Sequence, residues 1–177
     1  VDLFELANNH CWRVPFGFPR WYREFAPEYM KLEMTPDGFT EWGWIDFGFQ
    51  TYYALLNHGF RLRPTGGTAH GVHPVPFAFG RVYVHLPRGF SYNAWVEGLN
   101  AGRSFVTTGP MLFAQVNGAD PGRVWTADAP TPLRVTGHAE SPVPLDRIEI
   151  VINGKVASTV TPANEATEQG GFRSPIE

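Results

Sequence analysis

The feature that most constrains this chain is a change of pattern between Gly102 and Pro110. Before it, strand-like runs alternate with helix-like runs, which is typical of an α/β fold. Beyond Arg103, five short strand candidates follow one another with Gly, Pro, Asn and Asp turns between them, as in a small antiparallel β-sandwich. We therefore predict two parts, an α/β part over 1–106 and a truncated β-rich part over 107–177.

The β-rich part carries one especially specific turn signal. Asn153 and Gly154 separate two alternating apolar runs, and both residue types tolerate the positive φ angles that a two-residue hairpin turn requires. We therefore predict an antiparallel hairpin at this point. The five predicted strands of this part are Ser104–Thr107, Met111–Asn117, Leu133–Ala139, Arg147–Asn153 and Lys155–Thr161.

Two helices are predicted before the change of pattern. Apolar residues at helical spacing predict a helix over Asp46–Asn57, with Asp46 as its N-cap and Gly59 as its C-terminal stop. A second helix is predicted over Ser91–Ala101, with Ser91 as N-cap and Gly102 as the left-handed residue that ends it. The predicted strands of this part are Leu3–Leu6, Phe60–Pro64 and Gly80–Leu86.

Residues 1–46 are rich in aromatic side chains but show neither a helical nor a strand period. We predict a long, packed functional loop, with a short helix at Pro19–Phe25. Such aromatic side chains could stack a sugar or an aromatic substrate, although packing in a core is their more frequent role.

Composition and charge exclude several classes of partner. The net charge is -3, and no run of Lys or Arg could release counterions from a phosphate backbone, so we expect no nucleic-acid ligand. No apolar run approaches the roughly 18 residues that a membrane span needs. A single cysteine, Cys11, cannot form an internal disulfide, and no downstream Cys/His/Asn signature supports it as a thiol nucleophile.

The two ends of the sequence favour a piece cut from a longer chain. Val1–Leu6 opens on a strand-like run without a start Met, and Gly170–Glu177 stops in polar, turn-prone residues. A mature protein with processed ends is the alternative. Because a partial fold exposes strand edges and apolar faces, we expect either self-association into a homo-oligomer or a chain that has been cut.

Histidines and one carboxylate mark two candidate sites. His70 and His73 share a loop after a predicted strand and a glycine turn, and a His-x-x-His pair can bind a metal where a loop lets both imidazoles converge. Glu5, Asn9 and His10 gather after the first predicted strand, where they could be metal ligands or general bases. The alternative is structural, with histidines that only bond the loop backbone and an asparagine that forms a turn. His58 and His138 are interpreted as structural.

A longer segment, from Tyr52 to Gly118, resembles a known family. It reads YYALLNHGFRLRPTGGTAHGVHPVPFAFGRVYVHL and then FSYNAWVEGLNAGRSFVTTGPMLFAQVNG, and it is similar to the C-terminal part of the CehA/McbA family of metal-dependent hydrolases in the PHP superfamily. The most specific stretch is GRSFVTTGPML, with the Arg-Val-Tyr-Val strand before it. FELANNH near the start fits more loosely.

The resemblance implies a fold and an activity. The fold would be the C-terminal part of a PHP-type distorted (β/α)7 barrel over 1–106, followed over 107–177 by a small antiparallel immunoglobulin-like β-sandwich. Divalent metal ions (Zn, Mn or Fe) held at strand C-terminal ends would activate water to hydrolyse an ester, carbamate or phosphoester of a small-molecule substrate. The predicted site residues are Glu5, His10, His70 and His73 for the metal, and Asn9 and Arg81 for the substrate.

The sequence departs from the family at one motif. The metal-binding Asp of Gly-Thr-Asp is Ala69 here, and the His expected two positions later is Gly71. A methyl group cannot bind a cation. The alternative hypothesis is therefore a catalytically degenerate barrel whose β-sandwich serves as a binding or structural module and recognises a carbohydrate or a partner protein.

Overall fold

The computed structural model describes residues 3–13, 24, 26–71 and 73–177. The chain divides into two compact units, Val1–Val82 and Tyr83–Glu177. This division lies earlier in the chain than the boundary predicted at 106/107. The short helix predicted at Pro19–Phe25 lies outside the described residues, apart from Glu24.

The first unit combines a parallel strand pair, a short hairpin and a helix. Strand β1 (Leu3–Ala7) pairs in parallel with β4 (Arg63–Gly66). A hairpin of β2 (Met34–Thr35) and β3 (Gly38–Phe39) leads into helix α1 (Glu41–Asn57). Helix α1 contacts both β1 and β3, so the helix joins the two small sheets into one unit.

Helix α1 begins earlier than predicted, because its N-cap is Thr40 and not Asp46. The hydroxyl of Thr40 accepts a hydrogen bond from the backbone N–H of Gly43 at 3.1 Å. A Cβ atom on Gly43 would overlap the carbonyl oxygen of Glu33, so glycine permits the close approach of the helix start to the preceding segment. The carboxylate of Asp46 instead accepts from the Gln50 side chain, one turn further along, at 2.6 Å.

Aromatic side chains form much of the core of the first unit. Phe39 is 5% exposed, and its ring centroid lies 5.6 Å from that of Phe47 and 5.9 Å from that of Trp44. The ring of Phe4 on β1 lies 5.2 Å from the ring of Tyr52 on α1. These aromatic residues therefore pack in the core of the first unit, which is a more frequent role for aromatic clusters than stacking against a ligand.

The second unit begins with a strand, a helix and a strand. Strand β5 (Arg81–Val84), within which the division of the chain falls, pairs with β6 (Ser104–Thr107), and helix α2 (Tyr92–Ala101) connects them. The predicted capping of this helix is confirmed. The hydroxyl of Ser91 accepts from the backbone N–H of Ala94 at 3.1 Å, and Gly102 ends the helix at a φ of 75°.

A four-stranded antiparallel sheet follows, in the order β11-β12-β8-β7. Its strands are β7 (Met111–Val116), β8 (Val135–Ser141), β11 (Glu165–Ala166) and β12 (Phe172–Ile176). Strand β8 lies inside this sheet, because it pairs with β7 on one edge and β12 on the other. Strand β12 differs from the prediction, because the polar, turn-prone residues of this end of the chain predict a turn and not a strand.

The predicted hairpin at Asn153-Gly154 is confirmed. It joins β9 (Ile148–Ile152) to β10 (Lys155–Val160), and the φ angles of Asn153 and Gly154 are 53° and 75°. Outside the hairpin, one side chain joins the segments on either side of it. The Asn164 amide accepts from the backbone N–H of Leu145 and donates to the carbonyl oxygen of the same residue, each at 2.9 Å.

The predicted fold class is wrong. A (β/α)7 barrel needs successive parallel strands around a closed sheet, whereas β1 with β4 is the one parallel pair among the strands whose register is described. The described residues instead form small, mostly antiparallel sheets with two helices, and no barrel closes among them. A strand-helix-strand pattern specifies local elements, but it does not specify which strands pair.

We expect Gly137→Ala to destabilise the second unit. Gly137 lies on β8 at a φ of 146°, and a Cβ atom there would overlap the carbonyl oxygen of Phe113 on β7. The two strands would have to separate, which costs about 1–3 kcal/mol. Thermal or urea unfolding measures this cost. Gly109→Ala is the matched control, because no heavy atom lies within 4 Å of a Cβ at that position, and equal stabilities would contradict the prediction.

Candidate functional site

The strand ends of the first unit bring part of the predicted metal site together. Because β1 and β4 are parallel neighbours, their carboxyl ends lie at the same edge, with Glu5 opposite Thr65 and Ala7 opposite Gly66. The backbone N–H of Gly67 then donates to the carbonyl oxygen of Ala7 at 2.9 Å. The turn Gly67-Thr68-Ala69, in which the family's metal-binding Asp is replaced by Ala69, therefore begins beside the end of β1.

Asn9 fixes this arrangement. Its side chain is 5% exposed, accepts from the backbone N–H of Ala69 at 3.0 Å and donates to the Ala69 carbonyl oxygen at 3.4 Å. The short 3₁₀ helix Asn9–Cys11 is thereby joined to the loop after β4. Asn9, predicted as a substrate-binding residue, uses its amide group to hold this loop.

Glu5 and His10 lie close enough to interact electrostatically. A Glu5 carboxylate oxygen accepts from the Asn8 side chain at 2.9 Å, and the other lies 3.1 Å from the position that a Cβ on Gly67 would take. Burial lowers the pKa of His10 below its ordinary value, and the Glu5 carboxylate opposes that shift. The lowered pKa favours the neutral imidazole, which is the form that binds metal ions.

Cys11, next in the chain, lacks the features of an activated nucleophile. Burial raises the pKa of its thiol, and the backbone hydrogen bond to Asn8 only partly offsets this effect. Reactive cysteines have a lowered pKa.

His70 and His73 lie on one loop and form a backbone bridge with each other. The Nδ1 atom of His70 lies 3.1 Å from the carbonyl oxygen of Val75, and its ring meets the ring of Phe77 edge-on at 5.5 Å. The Nδ1 atom of His73 is buried. This contact of His70 with the loop backbone is the one expected if these histidines have a structural role and do not bind a metal.

Among the residues that the structure describes, no group of three or more His, Cys, Asp or Glu side chains could hold a metal ion. The side chains of Glu5 and His10 interact electrostatically, and His70 and His73 are joined through a backbone bridge, so each candidate site holds two predicted ligands. Arg81, the second predicted substrate-binding residue, begins β5 and is partly buried.

The second unit contains a cavity of about 470 Å³. Its lining comes from strands β5, β6, β7 and β8 and from the turn around Asp120. Pockets for small molecules typically measure about 300–1,000 Å³ and are mostly apolar with a few polar groups. This cavity has the size and the mixed lining of such a pocket.

Two stacked ring pairs line this cavity. Tyr83 of β5 and Phe105 of β6 lie with ring centroids 5.4 Å apart and planes 14° from parallel. Phe113 of β7 and His138 of β8 are directly opposite in the ladder, with centroids 4.8 Å apart and planes at 22°. Cross-strand stacking fixes the orientation of all four rings.

Two sets of polar side chains in the lining differ in their pairing. Asp120 is paired, since one carboxylate oxygen lies 3.3 Å from Nδ1 of His85 and the other accepts from the Gln115 side chain at 3.0 Å. In contrast, the Nε atom of Arg103 and the hydroxyl oxygen of Ser104 are buried and have no hydrogen-bond partner within the described part of the chain. Buried polar groups are normally paired, so these two atoms require an explanation.

The cavity is not predicted by the sequence pattern, although several of its lining residues lie in one distinctive stretch of the chain. Arg103, Ser104, Phe105 and Met111 all belong to the stretch GRSFVTTGPML that carries the family resemblance. His138 was interpreted as structural. The aromatic residues at alternate positions of the predicted strands were the available signal, but the strand pairing that brings them together does not follow from local pattern.

Comparison with family models, curated proteins and solved structures returned no match. The family resemblance of Tyr52–Gly118 therefore stays a prediction. Over the described residues, neither helix is both long and apolar enough to cross a membrane.

We expect Asn9→Ala to destabilise the first unit by about 1–3 kcal/mol, because the substitution leaves two backbone groups of Ala69 without their partner. Chemical unfolding at neutral pH measures the loss. Asn93→Ala, at an exposed position of α2, is the control and should change stability by less than about 0.5 kcal/mol. A loss no larger than that of the control would show that the amide does not hold the loop.

Proposed function

We propose that the second unit, Tyr83–Glu177, is a binding module for a small aromatic molecule. The observation that carries this proposal is the pair of ring stacks that lines one cavity, Tyr83 with Phe105 and Phe113 with His138. This proposal corresponds to the alternative of a binding module. It does not depend on a barrel.

Exposed aromatic surface supports the proposal. Tyr83 is 38% exposed and Phe113 is 46% exposed, although both rings line a cavity. Removing apolar surface from water is favourable by roughly 25 cal/mol per Å², and contacts between aromatic rings contribute about a further 0.5–1.5 kcal/mol. A ligand ring bound against Tyr83 or Phe113 would gain the free energy of burial and that of the ring contact.

The rigidity of the cavity wall supports it as well. Phe113 and His138 are opposed in the β7–β8 ladder, and the hydrogen bond from the His85 N–H to the Arg103 carbonyl oxygen, at 2.8 Å, continues the pairing of β5 with β6. Residues held by ladder hydrogen bonds lose little freedom when a ligand binds, so less binding free energy is lost to ordering.

We expect neutral aromatic probes, 2-naphthol and indole, to bind the full chain and to perturb amide signals of β7 and β8 in two-dimensional NMR spectra. Phe113→Ala should weaken this binding about tenfold, the equivalent of 1.4 kcal/mol for one lost ring contact. Phe90→Ala is the matched control, because Phe90 is 80% exposed and lies outside the cavity.

Three outcomes would contradict the proposal. The full chain could bind neither probe, the two phenylalanine variants could bind equally, or the perturbed signals could lie away from β7 and β8. Methyl β-glucoside is titrated in parallel as a probe for a carbohydrate ligand. Binding of the glycoside, with no binding of either aromatic probe, would indicate that the ligand is a sugar and not an aromatic molecule.

A metal-dependent hydrolase is the second candidate function, and the proximity of Glu5 to His10 at the end of β1 favours it. A carboxylate oxygen and a neutral imidazole suit a divalent cation. Catalytic zinc sites use three protein ligands, and the described residues supply no cluster of that size. The donors of the described residues therefore do not fit a complete metal centre.

We expect Zn²⁺ or Mn²⁺ to bind the full chain in calorimetric titrations if this second function is correct. Glu5→Gln and His10→Gln should each weaken binding at least tenfold, because each removes one of two donors. His58→Gln, at an exposed position after α1, is the control. A chain that binds neither metal, or variants that bind as well as the control, would eliminate this candidate.

A further inference from the structure

The Arg103 side chain gives the proposed ligand a definite chemistry. Its backbone is fixed on both sides, since the N–H donates to the carbonyl oxygen of Gly98 at 3.0 Å and the carbonyl accepts from the N–H of His85 at 2.8 Å. Its Nη2 atom lies 3.7 Å from the position that a Cβ on Gly98 would take. The guanidinium group therefore lies beside α2, within ordinary contact distance of its Gly98 position.

This guanidinium group has no hydrogen bond or ion pair with any residue that the structure describes, and its Nε atom is buried. The carboxylate of Asp120 lines the same cavity but is already bonded to His85 and Gln115. A partly buried cation without a partner is costly, and an anion brought by a ligand would remove that cost.

Guanidinium groups present a planar fork of donors that matches a carboxylate. Arg103 is the one guanidinium among the lining residues, and a single positive charge balances a carboxylate better than it balances a doubly charged phosphate.

Resting on the proposed binding function, we infer that the ligand is an aromatic carboxylate. Its ring contacts the stacked side chains, and its carboxylate pairs with the Arg103 guanidinium group. The one guanidinium group of the cavity lining then has a counter-ion.

The test compares 2-naphthoate with 2-naphthamide, which has the same ring and a neutral amide, on the full chain at pH 8. We expect the carboxylate to bind at least tenfold more tightly, and its affinity to fall as salt is added while that of the amide stays constant. Arg103→Gln should weaken naphthoate binding at least tenfold and leave naphthamide binding unchanged. Arg134→Gln, which changes an exposed arginine outside the cavity, should leave both unchanged.

Each result has a distinct meaning once thermal unfolding has shown that the variants are folded. Equal affinity of the full chain for the two probes, or a preference for naphthoate that survives in Arg103→Gln, would overturn the carboxylate inference and leave the aromatic binding site intact. Failure of the unaltered chain to bind either probe would overturn the binding function itself. Should Arg103→Gln not fold, Arg103→Lys is used, and naphthoate affinity equal to that of the unaltered chain would count against bidentate pairing.

Discussion

The pairing of β7 with β8 is the interaction on which the second unit most depends. Strand β8 also pairs with β12, so a shift in its register would move both edges of the sheet. The close approach at Gly137 fixes that register, because a larger residue would not fit against Phe113. The same ladder places Phe113 opposite His138, and hence builds one wall of the cavity.

Features specified by neighbouring residues could be predicted from the sequence. The cap of Ser91, the left-handed Gly102 and the Asn153-Gly154 turn each depend on a few adjacent residues, and the structure confirms all three. The gathering of Glu5 and His10 at the end of β1 also follows from local order, although their role as metal ligands stays a prediction.

Features that depend on distant pairing could not be predicted. Strand β12 contains Pro175 and has little apolar alternation, so its pairing with β8 stabilises it more than its own sequence does. The cavity combines Tyr83 with Phe105 and Phe113 with His138, residues that are brought together only by strand pairing. The barrel expectation failed for the same reason, since alternating elements do not determine which strands become neighbours.

The bidentate contact between Asn164 and the backbone of Leu145 joins the two ends of the segment that contains the β9–β10 hairpin. One side chain thus closes the chain between Leu145 and Asn164 into a loop, and the hairpin turn at Asn153-Gly154 lies in the middle of that loop. Because loop tips tolerate insertions, the Asn153-Gly154 turn is the position of this segment at which the chain can be lengthened while the junction of Asn164 with Leu145 is kept.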